Sequence, residues 1–210
     1  MPIRKHVIRL TIISMLFIFL VACMDVLTPE KEIAPTTTPT IVATEPLSLM
    51  ASSEQVVQAL ASKDFETLAG LVHSERGVRF SPYAYVREEH QVFMPEELNE
   101  LSDSGEVFTW GNYDGSGEPI ELTFDEYFEE FVYSADFSST AEVAVNERLG
   151  QGNSINNIEE FFPEASFVEF YIPGSNPQYA GMDWESLRLV FVQENEVWYL
   201  VGIVHDEWTI

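Results

Sequence analysis

The chain has 210 residues, of which 35 are Asp or Glu and 10 are Lys or Arg, for a net charge of −25. A field of that sign disfavours nucleic acid and anionic lipid surfaces as partners, while favouring solubility and the attraction of cations. The chain is 46% hydrophobic, with 15 Phe, 8 Tyr and 4 Trp, which suffices for one core. Its single cysteine, Cys23, excludes an intrachain disulfide and a Cys-based metal cluster.

Arg4, Lys5 and Arg9 precede an uncharged block from Leu10 to Ala22 that ends in Leu20-Val21-Ala22-Cys23. A positive start, an apolar middle and small residues before a cut are the parts of a signal peptide. The apolar run is shorter than the roughly 20 residues of a spanning helix. The motif resembles the lipobox of bacterial lipoprotein signal peptides. That resemblance implies cleavage before Cys23 and a diacylglyceryl group on its thiol, with palmitate among the acyl chains of the lipid anchor. It also implies a lipid anchor at the extracytoplasmic face of the bacterial cell membrane. Residues 1–22 are thus expected to be the signal peptide, and the chain from Cys23 onward keeps seven basic residues against 35 acidic ones, a net −28. Residues 23–50 contain Pro29, Pro35, Thr36-Thr37-Thr38, Pro39, Thr40 and Pro46 without apolar periodicity, and are expected to form a tether. As a flexible coil, such a tether spans on the order of 30 Å.

Residues 51–210 are expected to form one α+β domain. Ser52 or Ser53 can cap a helix through Val56, Val57, Leu60 and Ala61; Lys63-Asp64 breaks it, and Phe65, Leu68 and Leu71 continue a second helical face. Gly77 to Val86 is strand-like, with Pro82 suggesting an edge or a bulge. Met94 to Leu101 has Pro95 placed as a first helical residue. Glu106 to Gly111 reads as a strand, Asn112 to Pro119 as a turn, and Ile120 to Leu122 as a short extended piece. Thr123 and Glu126 form a capping box for a helix carrying Phe124, Tyr127, Phe128 and Phe131. Val143 to Asn146 is a strand, Asn153 to Phe161 contains a weak helix, and strands follow over Phe167 to Ile172, Leu187 to Gln193 and Val197 to His205. Glu194-Asn195-Glu196 links the last two as a hairpin. In the final strand, simple alternation puts Tyr199, Val201, Ile203 and His205 on one face and Leu200, Gly202, Val204 and Asp206 on the other, and either could be the core.

Helices first, then strands with helical insertions and a long final hairpin, is an α+β order. It resembles the NTF2-like (cystatin-like) fold, a curved, mainly antiparallel sheet wrapped around N-terminal helices. Val72 to Tyr83, Phe108-Thr109-Trp110-Gly111 through Pro119, and Trp198 to Ile210 resemble a family of uncharacterised bacterial lipoproteins. The likeness implies an envelope location and no specific activity.

Asn112-Tyr113-Asp114-Gly115-Ser116-Gly117 matches the first half of an EF-hand loop, with Asn112, Asp114 and Ser116 as calcium ligands. Against it, the twelfth position is Thr123 instead of Glu, and the entering segment has a strand pattern. No other cofactor is suggested. His73, His90 and His205 lack zinc spacing, and no phosphate loop or nucleophile elbow is present. Arg79, Tyr83 and Tyr85 share a face if their strand is regular. With Arg188 and His205, they are candidates to line a pocket in the cone and receive an anionic or carbonyl group. The alternative for both arginines is neutralisation of carboxylates such as Glu169 or Asp183. The expected function is a binding module for a small ligand or an envelope protein, monomeric or dimeric. A hydrolase- or isomerase-like envelope enzyme using the cone pocket, through His205 or an acidic residue within it, is the alternative.

Overall fold

Helix α1 (Leu49–Ala61) begins where Ser48, in extended backbone, turns its hydroxyl to accept the Ala51 amide at 3.2 Å. The cap therefore lies four residues before the earliest serine expected, and Leu49 and Met50 belong to the helix. Ser52 and Ser53 are buried inside it, where the Ser53 hydroxyl donates to the Met50 carbonyl at 2.8 Å. The computed structural model describes residues 47–209; Cys23, the signal segment and most of the tether lie outside the described residues. Asp64 caps α2 (Phe65–Leu71) through the Thr67 amide at 3.0 Å.

Strand β1 (Val78–Ser81) stops at Pro82, which has no amide to donate to a ladder. The chain then bends through Tyr85 and returns as β2 (Val92–Phe93), antiparallel to β1. Helix α3 (Pro95–Ser104) has the expected proline at its start, and Gly105 at φ 60° ends it. A hairpin follows from β3 (Val107–Asn112) and β4 (Pro119–Thr123). Thr123 and Glu126 close the expected capping box on α4 (Phe124–Tyr127), which runs into a π-helical turn at Phe128–Val132. The remaining elements are α5 (Phe137–Thr140), β5 (Glu142–Val145), α6 (Ile158–Phe161), β6 (Ser166–Ile172), a 3-10 turn at Pro177–Tyr179, β7 (Glu185–Glu194) and β8 (Val197–Glu207). Asn195 and Glu196, both at positive φ, form the tight turn between β7 and β8.

The main sheet has the order β2-β1-β8-β7-β6-β5, antiparallel except where β1 runs parallel to β8. This is the α+β arrangement expected from the element order: helices packed on a curved, mainly antiparallel sheet. Val56, Val57, Leu60, Phe65 and Leu68 from α1 and α2 meet Phe80, Val168, Leu187, Leu189, Leu200 and Ile203 on the inner face. A smaller cluster covers the outer face, where Val86, Ile158 and Phe162 pack on Phe167, Val190, Val192, Val201 and Val204.

Simple alternation misplaces part of β8. Between Val190 and Phe191 the register jumps from Gly202 to Leu200, so Val201 is an extra residue. Leu200 consequently joins Ile203 in the inner core, and Val201 joins Val204 on the outer face. The expected pairing of Val201 with Ile203 is thus corrected by a single bulge.

Candidate functional site

Aromatic side chains fill the space enclosed by the sheet and the helices. Trp110 stacks on Tyr127 with centroids 3.8 Å apart, and Tyr127 stacks on Phe131 at 5.1 Å. Phe80 presents its edge to Trp110, Phe124 and Tyr127. The Trp110 indole donates to the Leu122 carbonyl at 2.9 Å, so this large ring is buried without an orphan donor.

Open volume lies instead beyond this aromatic stack. A cleft of about 910 Å³ opens between the Pro82–His90 loop, the β3–β4 turn at Asn112–Gly117, and Asn153–Ile155. The proline that ends β1 swings Tyr83 and Tyr85 out of the sheet into this cleft. Tyr83 is anchored by Phe131, at 5.7 Å, while Tyr85 remains 44% exposed with the Arg87 guanidinium 5.2 Å from its ring centre. On the opposite wall, the register shift between Thr109 and Asn112 turns the end of β3 toward the cleft. Gly111 sits in this bulge at φ 139°, where a Cβ would come within 3.4 Å of His90 Nε2. Glycine therefore gives both the backbone conformation and the room beside the imidazole.

His90 is buried, and its Nδ1 accepts the Arg87 amide at 3.2 Å. That bond puts the proton of the neutral ring on Nε2, which faces Gly111 at the cleft. Burial, reinforced by Arg79 and Arg87 against the opposing pull of Glu89, lowers the His90 pKa to about 4. Burial likewise pushes the Tyr83 phenol up to about 12, against the Asp114 amide that favours its charged form. Both groups are neutral hydrogen-bonding groups near pH 7.

The five residues expected to line one pocket do not meet. Tyr83 and Tyr85 line the cleft. Arg79 leaves their company because β1 ends at Ser81; its Nη1 donates to the carbonyls of Arg87, Glu88 and His90 at 3.1, 2.8 and 2.8 Å, and its guanidinium lies over Phe161. It holds the cleft-forming loop in shape. Arg188 is fully buried on the outer face, with Nη2 2.9 Å from Glu169 and 2.7 Å from Asp206. Its neutralisation of Glu169 is one of the two roles the sequence left open. Glu169 also accepts from the Leu149 amide and the Ser186 hydroxyl. Gly150 lies so flat on Trp184 that a Cβ would come within 2.5 Å of the ring. The Asp206 carboxyl sits above its ordinary pKa because burial outweighs the pull of Arg188, Arg148 and His205.

His205 faces inward against Phe131, with ring centres 5.8 Å apart, and is 1% exposed with its Nδ1 unpartnered. It lies behind the stack and does not line the cleft. Asp206 points to the outer face, as strand alternation requires.

The calcium candidates occupy a β-turn, not a loop between helices. Asn112 Nδ2 donates to the Gly117 carbonyl at 3.0 Å. Asp114 accepts the Gly115 amide on Oδ1 at 3.2 Å, and the Thr209 and Ser154 hydroxyls on Oδ2 at 2.5 and 3.5 Å. Asp114 thereby ties the turn to the end of β8 and to the Asn153–Ile155 wall. Among the described residues, no group of three His, Cys, Asp or Glu side chains stands close enough to hold a metal ion.

Arg87, His90 and Asn153 to Ile155 also line the cleft and carry no motif by which sequence reasoning could find them, whereas Tyr113 lies inside the Asn112–Gly117 stretch. The one available signal is Pro82, which marks where the strand must yield to a loop.

No protein-family model matches the chain, and no curated protein matches it. Among solved structures, it is similar to a candidate calcium/calmodulin-dependent protein kinase II association domain from Xanthomonas campestris. That match has 12% identity and a TM-score of 0.32, over 80% of this chain and 97% of that one. A candidate dehydratase of the NTF2-like family from Streptomyces avermitilis matches at 12% identity with a TM-score of 0.27, over 76% of this chain and 93% of that one. At such overlap neither likeness adds to the fold assignment, which rests on the sheet order and the helices.

Proposed function

We propose that the chain is a lipid-anchored, extracytoplasmic binding module whose ligand sits in the Tyr83–His90 cleft. The observation that carries the binding reading is the separation of filled and open space. Trp110, Tyr127 and Phe131 fill the interior, whereas the open volume is lined by polar and aromatic side chains, with Arg87 and Asp114 as the charged ones. Pockets with a few fixed polar groups on aromatic walls are the usual form of small-ligand sites. His205, one of the groups an enzymatic reading could use, is buried against Phe131.

The anchor is supported by the sequence alone, through the Leu20-Val21-Ala22-Cys23 motif and the basic and apolar segments before it. Two or more acyl chains hold a protein stably on a bilayer, and one holds it only marginally. Two measurements test these parts separately. Cys23→Ala moves the protein from the membrane fraction to the soluble fraction, and a variant that fractionates like the parent defeats the anchor. A screen of small polar fragments, read by amide chemical shifts, moves resonances of Tyr83 to His90, Tyr113 to Gly117 and Asn153 to Ile155. Shifts confined to other surfaces defeat the cleft.

A further inference from the structure

Resting on the binding reading above, we infer that the cleft takes a neutral, hydroxyl-rich ligand of the carbohydrate class, with a sugar face on Tyr85 and hydroxyls on Tyr83 and His90.

Charge narrows the class first. Arg87 and Asp114 are the two oppositely charged side chains lining the cleft, with His90 neutral. Asp114 is occupied: its Oδ1 accepts the Gly115 amide, and its Oδ2 accepts two hydroxyls. It has little left to offer an ammonium group or a metal ion. Arg87 lies over Tyr85 and 3.7 Å from Glu89, within a chain of net charge −25. An anion entering the cleft therefore meets one compensated cation against a strongly negative field. Neither sign of ligand charge finds a free partner.

The remaining chemistry suits hydroxyls. The His90 tautomer is set by the Arg87 amide, so Nε2–H is a donor of fixed direction. The Tyr83 phenol keeps its proton and donates as well, because burial disfavours its anion. Ser116, Asn153 and Ser154 supply groups on the facing wall that both donate and accept. Tyr85 lines the cleft and is 44% exposed; with Arg87 over one face of its ring, the opposite face is the one we assign to the electropositive C–H face of a pyranose. A cleft of about 910 Å³ lies in the size range of small-ligand sites.

The test titrates the full chain with three β-1,4-linked, gluco-configured trisaccharides of matched shape: neutral cellotriose, anionic triglucuronate and cationic triglucosamine, each at millimolar concentration. Binding is read by amide shifts. Cellotriose is expected to shift the cleft residues and to bind at least about tenfold more tightly than either charged trimer, a difference of about 1.4 kcal/mol. Tyr85→Ala should weaken it about tenfold or more, while Tyr85→Phe keeps the platform and retains binding. Tyr85 is substantially exposed, and the amide spectrum of each variant verifies its fold. The inference is overturned if a charged trimer binds as tightly as cellotriose, or if Tyr85→Ala leaves binding unchanged. If polar fragments shift the cleft but cellotriose does not, the carbohydrate assignment fails and the binding reading stands. If neither fragments nor trimers shift it, both fail.

Discussion

His90 makes the stability of the domain depend on pH in a way that one substitution isolates. The ring titrates at 6.5 when unfolded and at about 4 in the fold, so the folded state favours neutral imidazole. As pH falls, the unfolded chain binds the proton first. The stabilisation is therefore complete above about pH 7, lost progressively as pH falls from 6.5 to 4, and constant below that. Comparing proton binding by the two states gives a loss of about 1.4 kcal/mol between pH 7.5 and 5.5, and about 3 kcal/mol by pH 4. The upper window precedes most carboxylate titration, which keeps the acidic surface from dominating. His90→Gln retains an acceptor for the Arg87 amide but does not titrate. The assay is urea unfolding of the parent and His90→Gln at pH 7.5, 6.5 and 5.5. The stability difference between them should shift by about 1.4 kcal/mol over that range in favour of the variant. A difference that stays constant with pH refutes the reasoning and means that water or another group reaches the ring.

The buried outer-face cluster predicts an asymmetric response. Arg188→Ala leaves Glu169 and Asp206 buried without their shared cation and should cost about 3–5 kcal/mol by denaturant unfolding, whereas replacing Arg188, Glu169 and Asp206 together by apolar residues should cost much less. Trp110→Ala removes the ring that stacks on Tyr127 and should cost about 3–5 kcal/mol, measured the same way. Gly111→Ala strains a backbone at φ 139° and crowds His90, so it should lower the thermal midpoint and move the His90 ring resonances; an unmoved ring would show that the bulge does not shape this wall.

How far the sequence reveals these features depends on the distance over which each is specified. The Thr123–Glu126 capping box, Pro95 at a helix start and the Asn195-Glu196 turn are satisfied within a few residues, and each is legible in order. The alternation of β8 is legible except across Val201, because a bulge is a property of two paired strands and leaves no mark in one. Arg79 misleads for a related reason. Its period-two relation to Tyr83 and Tyr85 requires a strand that Pro82 ends, and its guanidinium turns to the carbonyls of the loop that replaces the strand.

The sequence by itself determined the acidic field, the exclusion of an intrachain disulfide, the α+β order of elements and the signal-like segment ending at Cys23. These follow from composition and from patterns within one local segment. Only the tertiary structure decided that the interior is filled with aromatic rings and that the open volume lies outside it. It also separated the two arginines and His205 from the tyrosines. Such outcomes arise from contacts between residues distant in the chain, as when Asp114 meets Thr209 and Arg188 meets Glu169, and the driving force for them is burial and pairing of side chains rather than any preference of the backbone.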